Sequence, residues 1–219
     1  MNRKNNNIIV TGGSGFIGTN LILALLQNKN NKVLNIDNLT YASNKSSTFK
    51  KFLNYSFVKE KIIFKNKIKE IIIKFKPNII FHLAAETHVD RSIKKSNIFV
   101  NTNIIGTYSM IESFNEYISL KNKLKGINYK FIYISTDEVY GDIIKYKKYR
   151  SLEEDTILPS SPYSSSKASG EMIINSWRRT FNFPSIICRP SNNYGPFQNK
   201  EKLIPLVISS FLKNKQIPV

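Results

Sequence analysis

Cysteine is nearly absent from this sequence: Cys188 stands alone among 219 residues. A single thiol forms no internal disulfide and offers no metal centre by itself, so it reads as a small apolar residue in a buried strand. Histidine is almost as scarce, and neither His82 nor His88 has neighbours that complete a ligand set. Long apolar runs are also missing. The basic, polar start leads into only Ile8, Ile9 and Val10, too few for a signal-peptide core or a membrane span. The expectation is a cytoplasmic protein with no membrane contact. Acidic residues are outnumbered, 15 against 33 Lys and Arg, for a net charge of +18. A basic face attracts phosphate non-specifically. The lysines, however, are scattered through every segment, the runs at 121–125 and 145–148 included. That pattern is a solvated lysine-rich surface with no specific nucleic-acid site, and its field favours an anionic small molecule.

What is present is a chain 41% hydrophobic, long enough for one substantial core. Short apolar runs alternate with longer segments of helical spacing, which predicts an α/β fold: a doubly wound parallel sheet covered by helices. Strands are expected at 7–10, 32–36, 56–58, 78–82, 130–135 and 185–189. Helices are expected to begin near Phe16, Lys67, Ile93, Thr102 and Ser166, with Pro77 and Pro184 between a helix and a strand. The polar stretch 143–162 reads as a long loop over the edge that carries the site.

Directly after the first strand comes Thr11-Gly12-Gly13-Ser14-Gly15-Phe16-Ile17-Gly18, opening a helical pattern. Gly12 permits a tight turn, Gly15 lets the backbone approach a pyrophosphate, and Gly18 lets helix and strand pack closely. Phosphate then rests on the helix N-terminus and its free N–H groups. Asp37 ends the second strand, where such folds hold the adenosine ribose hydroxyls. A carboxylate there repels a 2′-phosphate, so the cofactor expected is NAD and not NADP.

Tyr163 and Lys167 are four apart at a helix start and share one face. An ammonium beside a phenol favours the phenolate and lowers a pKa ordinarily about 10, giving a base for a sugar hydroxyl. The pair follows the fifth strand, whose end carries Ser135-Thr136-Asp137-Glu138-Val139-Tyr140-Gly141. Open parallel sheets hold ligands at that edge. Adjacent carboxyls push their pKa values apart, so Asp137 and Glu138 suit paired acid and base roles.

Together these segments resemble the extended short-chain dehydrogenase/reductases, the NAD-dependent epimerase/dehydratase family, and within it the dTDP-glucose 4,6-dehydratases. The resemblance spans nearly the whole chain and is carried, in order, by 11–18, 37–42, 82–92, 135–142, 162–168, 191–196 and 201–205. It implies an NAD-binding Rossmann domain over 1–190 and, over 191–219, the start of an incomplete sugar-nucleotide-binding region. The implied reaction oxidises sugar carbon 4, eliminates water across carbons 5 and 6, and reduces carbon 6, regenerating NAD. Tyr163 with Lys167 would be the base at the carbon-4 hydroxyl and Thr136 would steady that hydroxyl. Glu138 would take the carbon-5 proton, and protonated Asp137 would donate to the departing hydroxyl.

By the same resemblance the cofactor would touch Gly12, Gly15, Phe16, Ile17 and Gly18, then Asp37, Asn38, Leu39 and Thr40. Ile62, Leu83, Ala84, Ala85, Thr102, Asn193, Tyr163 and Lys167 would complete its contacts. The dTDP-sugar would meet Thr87, Thr136, Asn192, Lys202 and Leu203, and His88 would line its pocket. A homodimer through the helices near Thr102 and Ser166 is implied as well. Asp90 and Arg91, adjacent in sequence, read equally as a structural ion pair, and Trp177 as helix packing.

Two departures stand out. The family usually has Gly-Asp-Ile after the third strand, its aspartate accepting from the adenine amino group; this chain reads Glu60-Lys61-Ile62. Lys61 offers no acceptor, and Glu60 is the available substitute. Relatives also continue beyond the position matched by Val219, so the nucleotide pocket is expected to be incomplete. A UDP-glucose 4,6-dehydratase, a non-catalytic NAD-binding remnant and a basic nucleic-acid-binding protein that reuses the fold are the other readings open at this point.

Overall fold

The computed structural model describes residues 5–44, 49, 51–121, 128–142 and 150–216. Strand β1, Asn6–Thr11, buries Ile8, Ile9 and Val10 almost completely. A strand apolar on both faces belongs inside a parallel sheet covered on both sides. Around it lie β2 (Asn31–Asp37), β3 (Tyr55–Lys59), β4 (Ile79–His82), β5 (Lys130–Ile134) and β6 (Ser185–Cys188). The six are parallel, in the order β3-β2-β1-β4-β5-β6.

Alternate side chains divide the core between the two faces. Ile8, Val10 and Val33 pack with Ile22 and Leu26 of helix α1, Phe16–Leu26. On the other face Ile9, Ile36, Ile80 and Phe131 pack with helices α2 (Lys65–Phe75), α5 (Gly106–Lys121) and α6 (Pro162–Phe181), through Ile72, Phe114 and Ile174. Between α2 and α5 the chain forms α3, Val89–Lys94, and α4, Ser96–Phe99, then one π-helical turn, Val100–Ile105. A 3₁₀ turn, Asp137–Tyr140, follows β5, and α7, Leu203–Leu212, ends the described fold.

All six strands lie where the apolar runs predict them. Three helices do not start as expected. The segment expected near Ile93 starts at Val89, because its first turn, Val89-Asp90-Arg91-Ser92, carries a single apolar residue. Thr102 falls inside the π turn, with regular helix beginning at Gly106. Helix α6 starts at Pro162, four residues before Ser166, under a capping box between Ser161 and Ser164. Helix α7 went unanticipated, since Pro205 suggests a break; within a first turn proline leaves no donor unpaired. Cys188 is only partly buried, because β6 is the sheet's edge.

Residues 143–149 of the expected long loop lie outside the described residues, as do 122–127 and the lysines at 145–148; 150–161 run without helix or strand. Among the described residues no helix is long and apolar enough to cross a membrane. Trp177 packs on the core and lies edge-on to Tyr108.

Candidate functional site

The chain leaves β1 towards β2 and β3, then returns to β4 on β1's other side. Such a reversal opens a crevice at the strand ends. Thr11 registers with Ile36 and with His82, so β1, β2 and β4 finish at one level. A cleft of about 560 Å³ opens there.

Its floor is the glycine turn. Gly12 has φ +68°, and a Cβ on it would come within 2.7 Å of Ala84 N. A side chain at Gly18 would meet Gly12 O at 2.4 Å. Glycine therefore lets this turn close on itself and on the segment after β4. Helix α1 begins beyond Gly15 with no side-chain cap and no acid in its first turn, so its N-terminal donors face the cleft unclaimed by side chains, as an anion site requires. Asp37 is buried and already organises the turn. It accepts from Ser14 N (2.9 Å) and Leu39 N (2.7 Å), and from Ser43 Oγ (3.3 Å). Two carboxylate oxygens hold about four lone-pair sites, leaving room for a ribose hydroxyl.

The opposite wall belongs to β5 and α6. Thr136 caps the 3₁₀ turn by accepting from Glu138 N (3.2 Å), and its hydroxyl donates to Asp137 Oδ1 (3.3 Å). Tyr163 hydrogen-bonds Thr136, yet burial pushes its phenol up to about 12, helped by the negative field of Glu138 and Asp137. Lys167 is 2% exposed. Burial pulls it down to about 7, against the pull of Glu171. Its Nζ donates to Ile134 O at 2.6 Å and lies 4.2 Å from the centre of the Tyr133 ring. The expected lowering of the tyrosine by its lysine is thus not the arrangement found. Desolvation outweighs pairing, and the ammonium is spent on a backbone carbonyl. Glu138 is also raised, first by burial and then by Asp137, while Lys202 pulls the other way.

The cleft gathers nearly every residue expected at a site. Gly12, Gly15, Phe16, Ile17, Gly18, Asp37, Asn38, Thr40, Ile62, Leu83, Ala84, Ala85, Thr102 and Asn193, the residues expected at the cofactor, all line it. Thr87, Thr136, Asp137, Glu138, Tyr163, Lys167, Asn192 and Lys202 line the rest, with His88. Leu39 and Leu203 are not among the lining residues. Leu39 takes φ 56° and serves the turn through its N–H bond to Asp37. Leu203, in the first turn of α7, is 69% exposed. Glu60 and Lys61 both reach the lining, with Glu60 Oε1 accepting from Lys61 N at 2.9 Å. Ser135 Oγ and His88 Nδ1 are buried here with no hydrogen-bond partner among the described residues.

Other features carried no sequence signal. Asn103, in the π turn, clamps Glu86 by both backbone groups (2.8 and 3.0 Å) and donates to Ser166 Oγ at 2.8 Å. One side chain joins the segment after β4 to α6. The Asp90–Arg91 ion pair, one of the two readings open for those residues, does not form: the Arg91 guanidinium lies 3.7 Å from the centre of the Tyr41 ring and reaches Glu201 at 3.4 Å. Asn20 and Asn44 donate to the carbonyls of Pro196 and Phe197, strapping 191–202 across the cleft. His82 is fully buried between the hydroxyls of Thr11 (2.7 Å) and Thr107 (3.1 Å), and burial holds it down to about 3. Among the described residues no cluster could hold a metal ion.

A glycine turn on an uncapped helix and a tyrosine and lysine facing it across the strand ends define a dinucleotide-binding protein of the short-chain dehydrogenase/reductase type. More narrowly, the chain belongs to the GDP-mannose 4,6 dehydratase family, whose model matches residues 9–219. The dTDP-glucose 4,6-dehydratase of Haemophilus influenzae is 45% identical over 215 residues, covering 97% of this chain and 63% of that protein. The crystal structure of dTDP-glucose 4,6-dehydratase from Bacillus anthracis in complex with NAD matches with a TM-score of 0.84 at 39% identity, over 98% of this chain and 63% of that one. DesIV, the dTDP-glucose 4,6-dehydratase from Streptomyces venezuelae, solved with NAD and TYD bound, gives 0.85 at 33% identity, over 97% and 64%. The chain therefore spans a little under two thirds of the length of these relatives.

Proposed function

We propose that this chain carries the NAD-binding and catalytic part of a dTDP-glucose 4,6-dehydratase, converting dTDP-glucose to dTDP-4-keto-6-deoxyglucose. The observation that carries the reading is the convergence of Thr136, Asp137 and Glu138 on Tyr163 in the cleft floored by the glycine turn. The residues present fit NAD. The turn tolerates no Cβ at Gly12, the α1 N-terminus is uncapped, and Asp37 keeps acceptor capacity. When bound, NAD would supply the hydride acceptor for carbon 4 and the donor for carbon 6. The pyrophosphate would rest on Gly15 to Gly18, the adenosine ribose on Asp37, and the adenine near Glu60 and Ile62.

Tyr163 would take the proton of the carbon-4 hydroxyl, with Thr136 orienting it. Lys167, its ammonium bonded to Ile134 O, would hold the face of α6 that presents Tyr163. A 4-keto group acidifies the hydrogen at carbon 5, which Glu138 would remove. Its raised pKa makes it the stronger base. Asp137 would give its proton to the departing carbon-6 hydroxyl. Lys202, close enough to act on Glu138, would face the sugar nucleotide from the 191–219 region. A Rossmann domain over 1–190 and the start of a substrate region beyond it belong to this reading, supported by the exposed apolar side chains of α7 such as Ile208 and Phe211. A cytoplasmic homodimer belongs to it too, supported by Ile105 and Met172, exposed near the expected interface. Incubating the chain with NAD and dTDP-glucose tests the function: a 4-keto-6-deoxy sugar, detected by its alkali-induced absorbance and by mass, is expected. NAD binding without product would overturn catalysis by this chain.

A further inference from the structure

Behind the cleft, α6 carries a charge that the reaction above leaves unused. Glu171 is 0% exposed and lies one helical turn beyond Lys167. Three bonds hold it to Arg189 at the end of β6, at 3.1 and 3.0 Å from Nε and 2.7 Å from Nη2. Arg189 Nη1 in turn donates to Tyr140 Oη (2.5 Å) and Glu153 O (2.9 Å). The pair thus joins α6 and β6 to the turn that carries Asp137 and Glu138. Helix α6 packs close on β5 here, since a Cβ on Gly170 would stand 2.4 Å from Tyr133 Oη. That hydroxyl donates to Lys167 O at 3.3 Å.

We propose that Glu171, locked by Arg189, is a positioning residue for Lys167: it supplies the buried carboxylate that keeps this lysine a cation where it faces the cleft. An ammonium so deeply buried loses its hydration and needs a fixed opposite charge to persist. The ionisable groups around Lys167 are Tyr163 and Glu171 on its own helix, Tyr133 on β5, His82 on β4, and Asp137 and Glu138 after β5. His82 is held neutral by burial and by the Lys167 charge beside it, and Tyr133 is held protonated by burial. Glu171 alone among them opposes the desolvation of Lys167. Arg189 holds the carboxylate through Nε and Nη2 while Nη1 reaches Tyr140 and Glu153, a fork that a lysine there would not reproduce.

This inference rests on the reading that Lys167 belongs to the site, so its test needs no turnover. The full chain, labelled with ¹³C-lysine and free of cofactor and substrate, is titrated by NMR, the Lys167 signal being the one absent from Lys167→Met. The wild-type midpoint is expected near 7, far from the surface lysines. Glu171→Gln should lower it by about one pH unit or more, and Glu171→Asp should restore at least half of that shift. An unchanged midpoint in a folded Glu171→Gln protein overturns the proposal. If the glutamine variant does not fold, Arg189→Gln decides. Stripped of its partner, Glu171 should raise the Lys167 midpoint, and no movement refutes the role. Failure of dTDP-glucose turnover, by contrast, bears only on the proposed function.

Discussion

The two walls of the cleft are built on different principles. The wall at β1 and β2 is main chain: glycines packed against backbone, an uncapped helix end, and an aspartate whose partners are mostly its own neighbours. The wall at β5 and α6 is made of buried ionisable side chains whose charge depends on distant partners. Tyr163 is pushed up to about 12, Lys167 is pulled down to about 7, and Glu138 is raised. A binding surface of backbone is rigid and indifferent to pH. A wall of desolvated acids and bases holds groups poised to exchange protons.

The sharpest way to separate the walls is Tyr163→Phe. The ring keeps its edge contact with Phe99 while the proton-transfer oxygen is lost. Turnover should fall by about 10³-fold or more with NAD affinity nearly unchanged, measured by product formation and calorimetry. Gly12→Ala attacks the other wall. With φ +68° and Ala84 N in the way, it should cost about 1–3 kcal/mol of stability and at least about tenfold in NAD affinity, read by denaturant melts and calorimetry. Normal NAD binding in that variant would mean the turn does not hold the pyrophosphate. Asp37→Ala removes the acceptor of three protein bonds and the charge that repels a 2′-phosphate. NAD should weaken by about 1–3 kcal/mol, with a smaller loss for NADP, and an unchanged NAD-to-NADP ratio would sink the assignment.

A different kind of effect lies in the pH dependence of stability. Lys167 titrates at about 7 folded against 10.5 unfolded. Below pH 7 both states hold the proton and the burial penalty is complete. Between about 7 and 10.5 the unfolded chain holds more protons, so this residue's contribution to stability rises with pH. Urea denaturation should therefore show wild type gaining on Lys167→Met across that window. A constant difference would contradict the burial of a titrating lysine.

The binding wall was legible because its determinants are contiguous: glycine spacing, the strand before it and Asp37 lie in one stretch of chain. The positions of Thr136, Asp137, Glu138, Tyr163 and Lys167 were legible for the same reason, each at the end of a recognisable element. Their charge states were not. Spacing along α6 shows that Tyr163 and Lys167 share a face, but not that Ile134 O claims the ammonium or that burial overrides pairing. Arg91 was read against its neighbour Asp90, whereas its partners come from Tyr41 and from Glu201, 110 residues away. Cys188 was read as buried because an apolar run does not reveal which strand will be the edge. Asn103 escaped because its helix is wound with a π turn, which apolar periodicity at 3.6 does not register.

That π turn has a consequence for how this chain tolerates length changes. A π turn amounts to one residue more than an α-helix needs, so removing one residue from 100–105 would leave a more regular helix. The flanking segments would stay near their present phase, because the bulge already absorbs the surplus residue, but Asn103 would be moved off the face it now holds. Asn103 would lose Glu86 and Ser166 together, and the segment after β4 would come loose from α6. Local regularity and the architecture of the cleft pull in opposite directions here. A lineage that shortened this segment would gain a better helix and lose the joint between α6 and the segment after β4.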